Sequence, residues 1–444
     1  MSFEGWSPTE GRFSRAALGA VLKAHVAILG GEGLKRALAE ELQKVTKLGG
    51  QERRFAASAV RALSRHQRLL DWAAKRLGQS PSAWALKEDL ALLRYVLLRR
   101  LVDREPWSHI RAEVQLPGPV RPRTVMDPVL EGLATGQAGT LEKELEALEP
   151  ATLHSMPGWL ASAVEALVPA AELAPLLKAL NAEPGLLLRM RGPAGELMAE
   201  LAAEGVKATA LGLGTDALGV DGVSHQIFDT RAFKSGRLQV QDLGSQLIGL
   251  LCRPVSGWAG ARVMDVCAGA GGKTLLLADQ VGARGRVDAS DASKKRLSEA
   301  RRRAGELRLA QVMFPEPLQL EKADAVLIDA PCSGTGSLAR EPDQKWRMTE
   351  KGIAAWVATQ AELLEKTSAA MRAGSVLVYA TCSLLRAEND AQVERFLAAH
   401  PEWTLEPARE VLPEAAVACE GPYLRALPHR VRGGAFFAAR MLKS

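Results

Sequence analysis

Apolar residues recur at three- and four-residue spacing through the first 140 positions, in "SRAALGAVLKAHVAIL", "GLKRALAEELQKV", "RRFAASAVRALSRHQRLLDWAAKRL" and "LKEDLALLRYVLLRRLV". That period gathers the apolar side chains on one stripe of an α-helix, so these segments predict an all-α bundle over residues 1–140. The proline cluster in "VQLPGPVRPRTVMDP", Val114 to Pro128, forbids a continuous helix and predicts a connector. Short helical patterns such as "HSMPGWLASAVEAL" follow, then the strand-like "GLLLRMRG" and the helix-like "AGELMAELAAEGV". Together they predict a small α+β module over residues 150–235.

From "LQVQDLGSQLIGLL" onward the pattern changes. Apolar runs of strand length, "ARVMDV", "GRVDAS", "DAVLIDA" and "GSVLVYA", alternate with the helical stretches "KTLLLADQV", "SKKRLSEARRRAGEL" and "GIAAWVATQAELLEKTSAAM". This order predicts a doubly wound α/β domain with a parallel sheet over residues 236–444. Ligands of such sheets sit at the carboxyl ends of the strands.

A length of 444 residues accommodates these three domains, and 47% hydrophobic content gives each a core of its own. The N-terminus lacks a signal-peptide core and no apolar run reaches the roughly 18 residues of a membrane span. A net charge of +6 permits a polyanionic partner without requiring one. The helical region is rich in arginine, at Arg53, Arg54, Arg61, Arg65, Arg68, Arg94, Arg99 and Arg100. These read either as a solvated basic face or as a nucleic-acid surface. The five cysteines, Cys252, Cys267, Cys332, Cys382 and Cys419, are odd in number and free of C-x-x-C spacing. They argue against a disulfide framework and a zinc site, and for a reducing, cytoplasmic compartment.

The first strand of the α/β region delivers "DVCAGAGGKT", Asp265 to Thr274, a glycine-rich turn opening a helix. A phosphate-binding loop needs glycine where Cys267 stands, although Lys273 and Thr274 complete its ending and "VLIDAP" resembles the metal-binding strand of a nucleotide hydrolase. The dinucleotide pattern G-x-G-x-x-G fits Gly269 and Gly271 but meets Thr274 at its third glycine. An adenosyl ligand without a pyrophosphate, S-adenosylmethionine above all, fits both the turn and Asp291, an acid roughly twenty residues on that suits a ribose diol. Asp291 also suits the N-terminal cap of the following helix.

Cys332, in "DAPCSGTG", and Cys382, in "YATCS", both lie just past the ends of predicted strands. A free cysteine is most often a buried, inert small hydrophobe, but two at neighbouring strand ends can face one cleft. Carbon 5 of a pyrimidine accepts a methyl group only after a nucleophile adds at carbon 6, and a thiolate does this well. Asp329, three residues before Cys332, is a candidate acid toward ring nitrogen 3, or alternatively a structural strand-end residue.

At these stretches, and at "QVQDLGSQ", "DASDASKKRL", "VLIDAPCSGTGSLAREPDQKW", "LVYATCSLLRAEND" and "GGAFFAARMLK", the chain resembles the Sun family of RNA 5-methylcytosine methyltransferases, of the RsmB type that acts on small-subunit ribosomal RNA. The N-terminal helices resemble the NusB-like RNA-binding domain of that type, and the segment between is similar to its small N1 module. The resemblance implies a Rossmann-like class I methyltransferase domain, S-adenosylmethionine as cofactor and RNA as partner. It also implies Cys382 as nucleophile, Cys332 as an aid to product release and Asp329 as a contact to the target base. By the same resemblance Cys267, Ala268, Gly269, Ala270, Gly271, Gly272 and Lys273, with Asp291 and Asp329, line the cofactor pocket. A nucleotide hydrolase and a non-catalytic RNA-binding assembly factor are the alternative functions. Two departures stand out: "CAGAGGK" replaces the commoner "CAAPGGK", and "LAQVMFPEPLQL" lacks the family's aspartate near the adenine, with only Glu316 nearby.

Overall fold

A computed structural model describes the chain except for residues 1–13, 46–47, 79–86, 115–131, 134–137 and 221–223. The connector expected over Val114–Pro128 therefore lies outside the described residues, apart from Val114 itself. The described chain forms two compact units. One takes in residues up to Asn181 together with Leu338–Arg347, and the other Ala182–Ser337 with Met348–Ser444.

The first unit is helical, as the spacing predicts: α1 (Arg15–Leu29), α2 (Leu34–Gln43), α3 (Gly50–Arg65), α4 (Gln67–Arg76), α5 (Lys87–Leu97), α6 (Trp107–Val114), α7 (Ala138–Leu145), α8 (Gly158–Glu165) and α9 (Ala170–Leu180). Ser14 starts α1 by accepting the Ala17 N–H on its hydroxyl. Leu63, Leu70, Leu92, Leu93, Leu97, Leu98 and Ile110 are buried in one cluster. Each contributes about 2 kcal/mol of apolar burial.

The pattern "RRFAASAVRALSRHQRLLDWAAKRL" predicts one helix, yet the chain breaks at His66 into α3 and α4. The cause is tertiary. Trp346 Nε1 donates to the Ser64 carbonyl at 2.6 Å and Lys345 Nζ to the Arg65 carbonyl at 2.8 Å. A continuous helix would offer those carbonyls to the N–H groups of residues 68 and 69. The Leu69 N–H turns instead to Ser155 Oγ at 3.1 Å.

The basic face read from the helices is largely corrected. Arg65, Arg94 and Arg99 are buried. Arg65 donates to the Ala339 carbonyl, Arg94 pairs with Asp71, and Arg99 with Asp103, Glu105 and Glu113. Arg68 and Arg100 pair with Glu149 and Glu142. Arg53 and Arg54 alone of the eight are exposed, with Arg61 half-buried. Helical spacing cannot tell an arginine facing solvent from one reaching inward to a carboxylate on a neighbouring helix.

Lys345 is 1% exposed and donates to the Arg65 carbonyl and Asn181 Oδ1, with no carboxylate partner among the described residues. Burial, with Arg65 adding repulsion, holds its ammonium well below the ordinary lysine range. A depressed lysine pKa means the unfolded chain binds more protons, so stability rises with pH up to the unfolded lysine pKa. Thermal melting of the helical unit is therefore expected at higher temperature at pH 9.5 than at pH 7.5. Lys345→Met should flatten that dependence.

The second unit contains two sheets. Strands β1 (Leu186–Met190), β2 (Ala208–Ala210), β3 (Ala217–Val220) and β4 (Leu238–Val240) pair antiparallel in the order β2-β3-β1-β4, with α10 (Ala194–Ala203) between β1 and β2 in the chain. The larger sheet is built from β5 (Arg262–Asp265), β6 (Arg286–Ala289), β7 (Val312–Met313), β8 (Ala325–Asp329), β9 (Val376–Thr381), β10 (Trp403–Glu406), β11 (Cys419–Glu420), β12 (Tyr423–Ala426) and β13 (Phe436–Lys443). Its order is β11-β12-β13-β9-β8-β5-β6-β7, with β10 on β13. Helices α11 (Leu243–Leu251), α12 (Gly272–Val281), α13 (Lys294–Glu306), α14 (Glu350–Ala369) and α15 (Asp390–Ala399) accompany these strands.

Strands β5 to β9 pair parallel, as the alternation predicts. Beyond β9 the sheet turns antiparallel, because β13 pairs along six positions of β9, from Phe437 opposite Thr381 to Leu442 opposite Val376. Among the described residues no helix is long and apolar enough to cross a membrane.

Candidate active site

Strand register explains why two distant cysteines meet. Asp329 pairs with Ala380 across β8 and β9, so the two strands end level. Cys332 follows Asp329 by three residues and Cys382 follows Ala380 by two. Their sulfurs are 3.4 Å apart, a thiol hydrogen-bond distance. Gly336 makes the approach possible: its N–H donates to the Cys382 carbonyl and its own carbonyl accepts from Ala435. A Cβ there would lie 2.2 Å from the Ala435 oxygen and 2.8 Å from the Cys382 oxygen.

The pair shares its protons unequally. The hydrogen bond from the Cys332 thiol, joined by Lys273 and Ser337, outweighs burial and holds the Cys382 thiol below the ordinary range. The same bond, burial and the negative charge of Glu388 push Cys332 well up. Of the two thiols, Cys382 is the one that gives up its proton more readily.

Next to them the glycine loop runs from Asp265, at the end of β5, into α12. Gly271 adopts a φ of 87°, and a Cβ on it would lie 2.9 Å from the Ala300 side chain, so glycine lets α13 pack against the loop. Lys273, in the first turn of α12 and 9% exposed, donates to Asp329 Oδ2 at 2.7 Å. Burial opposes its charge, yet the Asp329 carboxylate outweighs burial and holds the ammonium above its ordinary value. A phosphate-loop lysine would be left free for a ligand, whereas this one is committed to a carboxylate.

Sequence pattern alone gives Asp265 no role. It is 1% exposed, and Thr274 Oγ1 donates to its Oδ2 at 2.7 Å while Oδ1 has no partner among the described residues. Burial pushes its carboxyl up to about 7. Burial also pushes the Cys267 thiol in the loop up to about 12, so it is neutral. Ala268 donates to the Ser290 carbonyl and the Ala270 carbonyl accepts from Arg303.

Asp291 follows β6 and is already engaged. It accepts from the Gly269 N–H at 2.8 Å and the Ser293 N–H at 2.7 Å, and pairs with Arg296 at 2.7 Å. Burial pushes its carboxyl up, and these three donors outweigh it and hold it below the ordinary range. The N-terminal cap of α13 is Ser293, not Asp291. Glu316 is exposed, while Phe314 packs against Ala268, Ala289 and Leu297, with Arg301 5.1 Å from its ring centroid.

Residues with no assigned role in the sequence complete the site. Glu388, fully buried, accepts from Ser333 and Ser383, and Asn389 donates to the Ser383 carbonyl. Both stand in "LLRAEND" just past the second cysteine, but nothing in their spacing separates a buried carboxylate from a surface one.

The sequence model of a family described as 16S rRNA methyltransferase RsmB/F matches residues 257–442. The chain is 30% identical over 423 residues to a probable ribosomal RNA small subunit methyltransferase B of Synechocystis, covering 88% of this chain and 92% of that one. The chain belongs to the RsmB/F family of 16S rRNA methyltransferases. A ribosomal RNA small subunit methyltransferase B of Serratia proteamaculans is 29% identical over 391 residues, covering 84% of this chain and 86% of that one. In fold, this RsmB/F chain is similar to a crystal structure of a methyltransferase homologue from Pyrococcus horikoshii, with a TM-score of 0.55 and 23% identity over 67% of this chain and 99% of that one. Membership removes the nucleotide-hydrolase reading of the glycine loop.

Proposed function

We propose that the protein forms 5-methylcytosine in small-subunit ribosomal RNA through a covalent adduct of Cys382 with carbon 6 of the target base. The observation that carries this reading is the pair of thiols 3.4 Å apart beside the Lys273–Asp329 ion pair. S-adenosylmethionine, when bound, supplies the methyl group from a positively charged sulfonium. The buried, half-paired Asp265 carboxylate suits a cationic group of that cofactor, and the glycine turn Cys267 to Gly272 suits its close approach. Asp291 is the candidate for the ribose hydroxyls, which would have to share its carboxylate with Arg296.

Cys382 Sγ, as thiolate, adds to carbon 6 and pushes the ring electrons toward carbon 5 and nitrogen 3. Asp329 relays a proton from the Lys273 ammonium, which donates to its carboxylate, to nitrogen 3 as negative charge develops there, and recovers it when the ring reforms. Carbon 5, now enamine-like, takes up the methyl group. A base then removes the carbon 5 proton, the carbon–sulfur bond breaks, and Cys382 leaves as thiolate. Cys332 assists that release. A target cytosine must stand clear of stacking for a sulfur to reach carbon 6, which favours single-stranded or loop RNA.

The test is transfer of labelled methyl to undermodified small-subunit ribosomal RNA, followed by digestion to nucleosides. Label in 5-methylcytidine supports the reading, and label in any other nucleoside, or none, overturns it.

A second expectation concerns Asp265. Its carboxyl, raised to about 7, carries a proton in the free enzyme below that pH, and a cation bound beside it favours the ionised form. Cofactor binding should therefore release close to one proton at pH 6 and almost none at pH 8.5, and affinity should rise with pH across that interval. Calorimetry in two buffers of different ionisation enthalpy reads the proton directly, and Asp265→Asn should abolish its release.

A further inference from the structure

Glu388 is 0% exposed, and its donors are all uncharged. Oε1 accepts from the Ser333 N–H and from Gln360 Nε2, both at 2.9 Å, and Oε2 accepts from the hydroxyls of Ser333 and Ser383, both at 2.5 Å. Among the described residues no cation pairs with it. Burying a carboxylate without a cation costs stability, so a site that keeps one gains something else from it. What Glu388 joins is informative. Ser333 is the residue after Cys332, and Ser383 the residue after Cys382.

We propose that Glu388 is a positioning residue for the methyl transfer, clasping the two cysteine-bearing loops and deciding which thiol of the pair carries the proton. The inference rests on the covalent reading above. Geometry supports both halves: Ser333, beside Cys332, gives Glu388 both its N–H and its hydroxyl, whereas Ser383, beside Cys382, gives only its hydroxyl. The loops are joined at other points as well, by the Leu384 N–H to Thr335 Oγ1 at 2.8 Å and the Gly336 N–H to the Cys382 carbonyl at 2.8 Å. A purely structural clasp would therefore not require a charge. The charged and titratable groups that act on the pair are Lys273 from α12 and Asp329 from the end of β8, toward Cys382, and Glu388 and Tyr379, toward Cys332. The cation thus acts on one sulfur and the Glu388 carboxylate on the other. Negative charge beside Cys332 favours its thiol form, and that thiol then donates to Cys382 and stabilises the thiolate there.

Glu388→Gln separates charge from clasp. The amide occupies the same volume and its N–H can donate to either serine hydroxyl, so both loops stay joined while the charge is lost. The experiment is alkylation of the full-length protein by iodoacetamide between pH 6 and pH 9, with each cysteine mapped by mass spectrometry and methyl transfer assayed in parallel. The wild type should react first at Cys382. In Glu388→Gln the preference for Cys382 at pH 7 should fall about tenfold, the equivalent of one pKa unit, and kcat should fall with it while KM for RNA holds. Unchanged preference and pH profile in a folded Glu388→Gln protein would overturn the proposal.

Glu388→Asp supplies the complement, keeping the charge but shortening the reach to two loops. It should retain the preference for Cys382 and lose kcat, and wild-type kcat there would overturn the clasp, whether or not Glu388→Gln folds. First reaction of the wild type at Cys332 would instead overturn the assignment of Cys382 as nucleophile. The ratio between wild type and variant would still read whether Glu388 sets the order.

Discussion

Cys382→Ala is expected to abolish methyl transfer and to leave no protein–RNA adduct, whereas Cys332→Ala is expected to trap one. Without a nucleophile at carbon 6 the pyrimidine carbon 5 has no electron density to offer, and loss of the nucleophile in a covalent mechanism costs roughly 10⁴- to 10⁶-fold in rate. Cys332→Ala leaves Cys382 able to attack but removes the neighbouring thiol that assists release, so the adduct accumulates and runs with the RNA on a denaturing gel. Some loss of reactivity is expected in the trapped variant too, since the thiol 3.4 Å away no longer donates to the Cys382 sulfur. Adduct in Cys382→Ala and none in Cys332→Ala would exchange the two roles while keeping the chemistry.

Asp329→Ala is expected to lower both activity and stability, and the two losses can be separated. In the proposed chemistry Asp329 passes a proton to the base, and proton transfer by a positioned side chain is worth roughly 10²- to 10⁴-fold in rate. The variant also leaves Lys273, 9% exposed, without its anion at 2.7 Å. An abandoned buried cation costs about 2 kcal/mol here, reduced from the fully buried case because the Asp329 side chain is 32% exposed. The double variant Lys273→Met with Asp329→Ala removes both charges together and packs an apolar chain near Phe436, whose ring centroid lies 5.8 Å from Lys273 Nζ. Melting should return toward wild type in the double variant while methyl transfer stays low. Recovery of activity with stability would mean that Asp329 only neutralises Lys273.

Local pattern carried much of this protein. Helical spacing marked the bundle, and the alternation of apolar strands with helices marked the parallel sheet. The turns after β5 and β8, with the strand end at Thr381, were legible because glycine, proline and cysteine there are out of keeping with a buried strand. Those are short-range signals: a period of 3.6 or 2 residues, or a turn whose backbone demands glycine, is written within about ten neighbours.

What needed the folded chain is everything set by partners far away in sequence. The break at His66 arises because side chains roughly 280 residues on, Lys345 and Trp346, take the carbonyls that would have continued the helix. Arg65, Arg94 and Arg99 look like surface charges on a helical wheel and are interior donors, because burial depends on what packs above them. The antiparallel β13 exists as a strand through its pairing with β9. Most consequentially, "DAPCSG" and "ATCS" each announce a cysteine at a strand end, but the 3.4 Å between their sulfurs follows from the register of β8 on β9, and the Glu388 carboxylate beneath them follows from the turn after β9. Sequence alone determined which residue types could do the chemistry. Only the tertiary structure decided which of them share a proton, because proton affinity depends on charges and burial across space and not on distance along the chain.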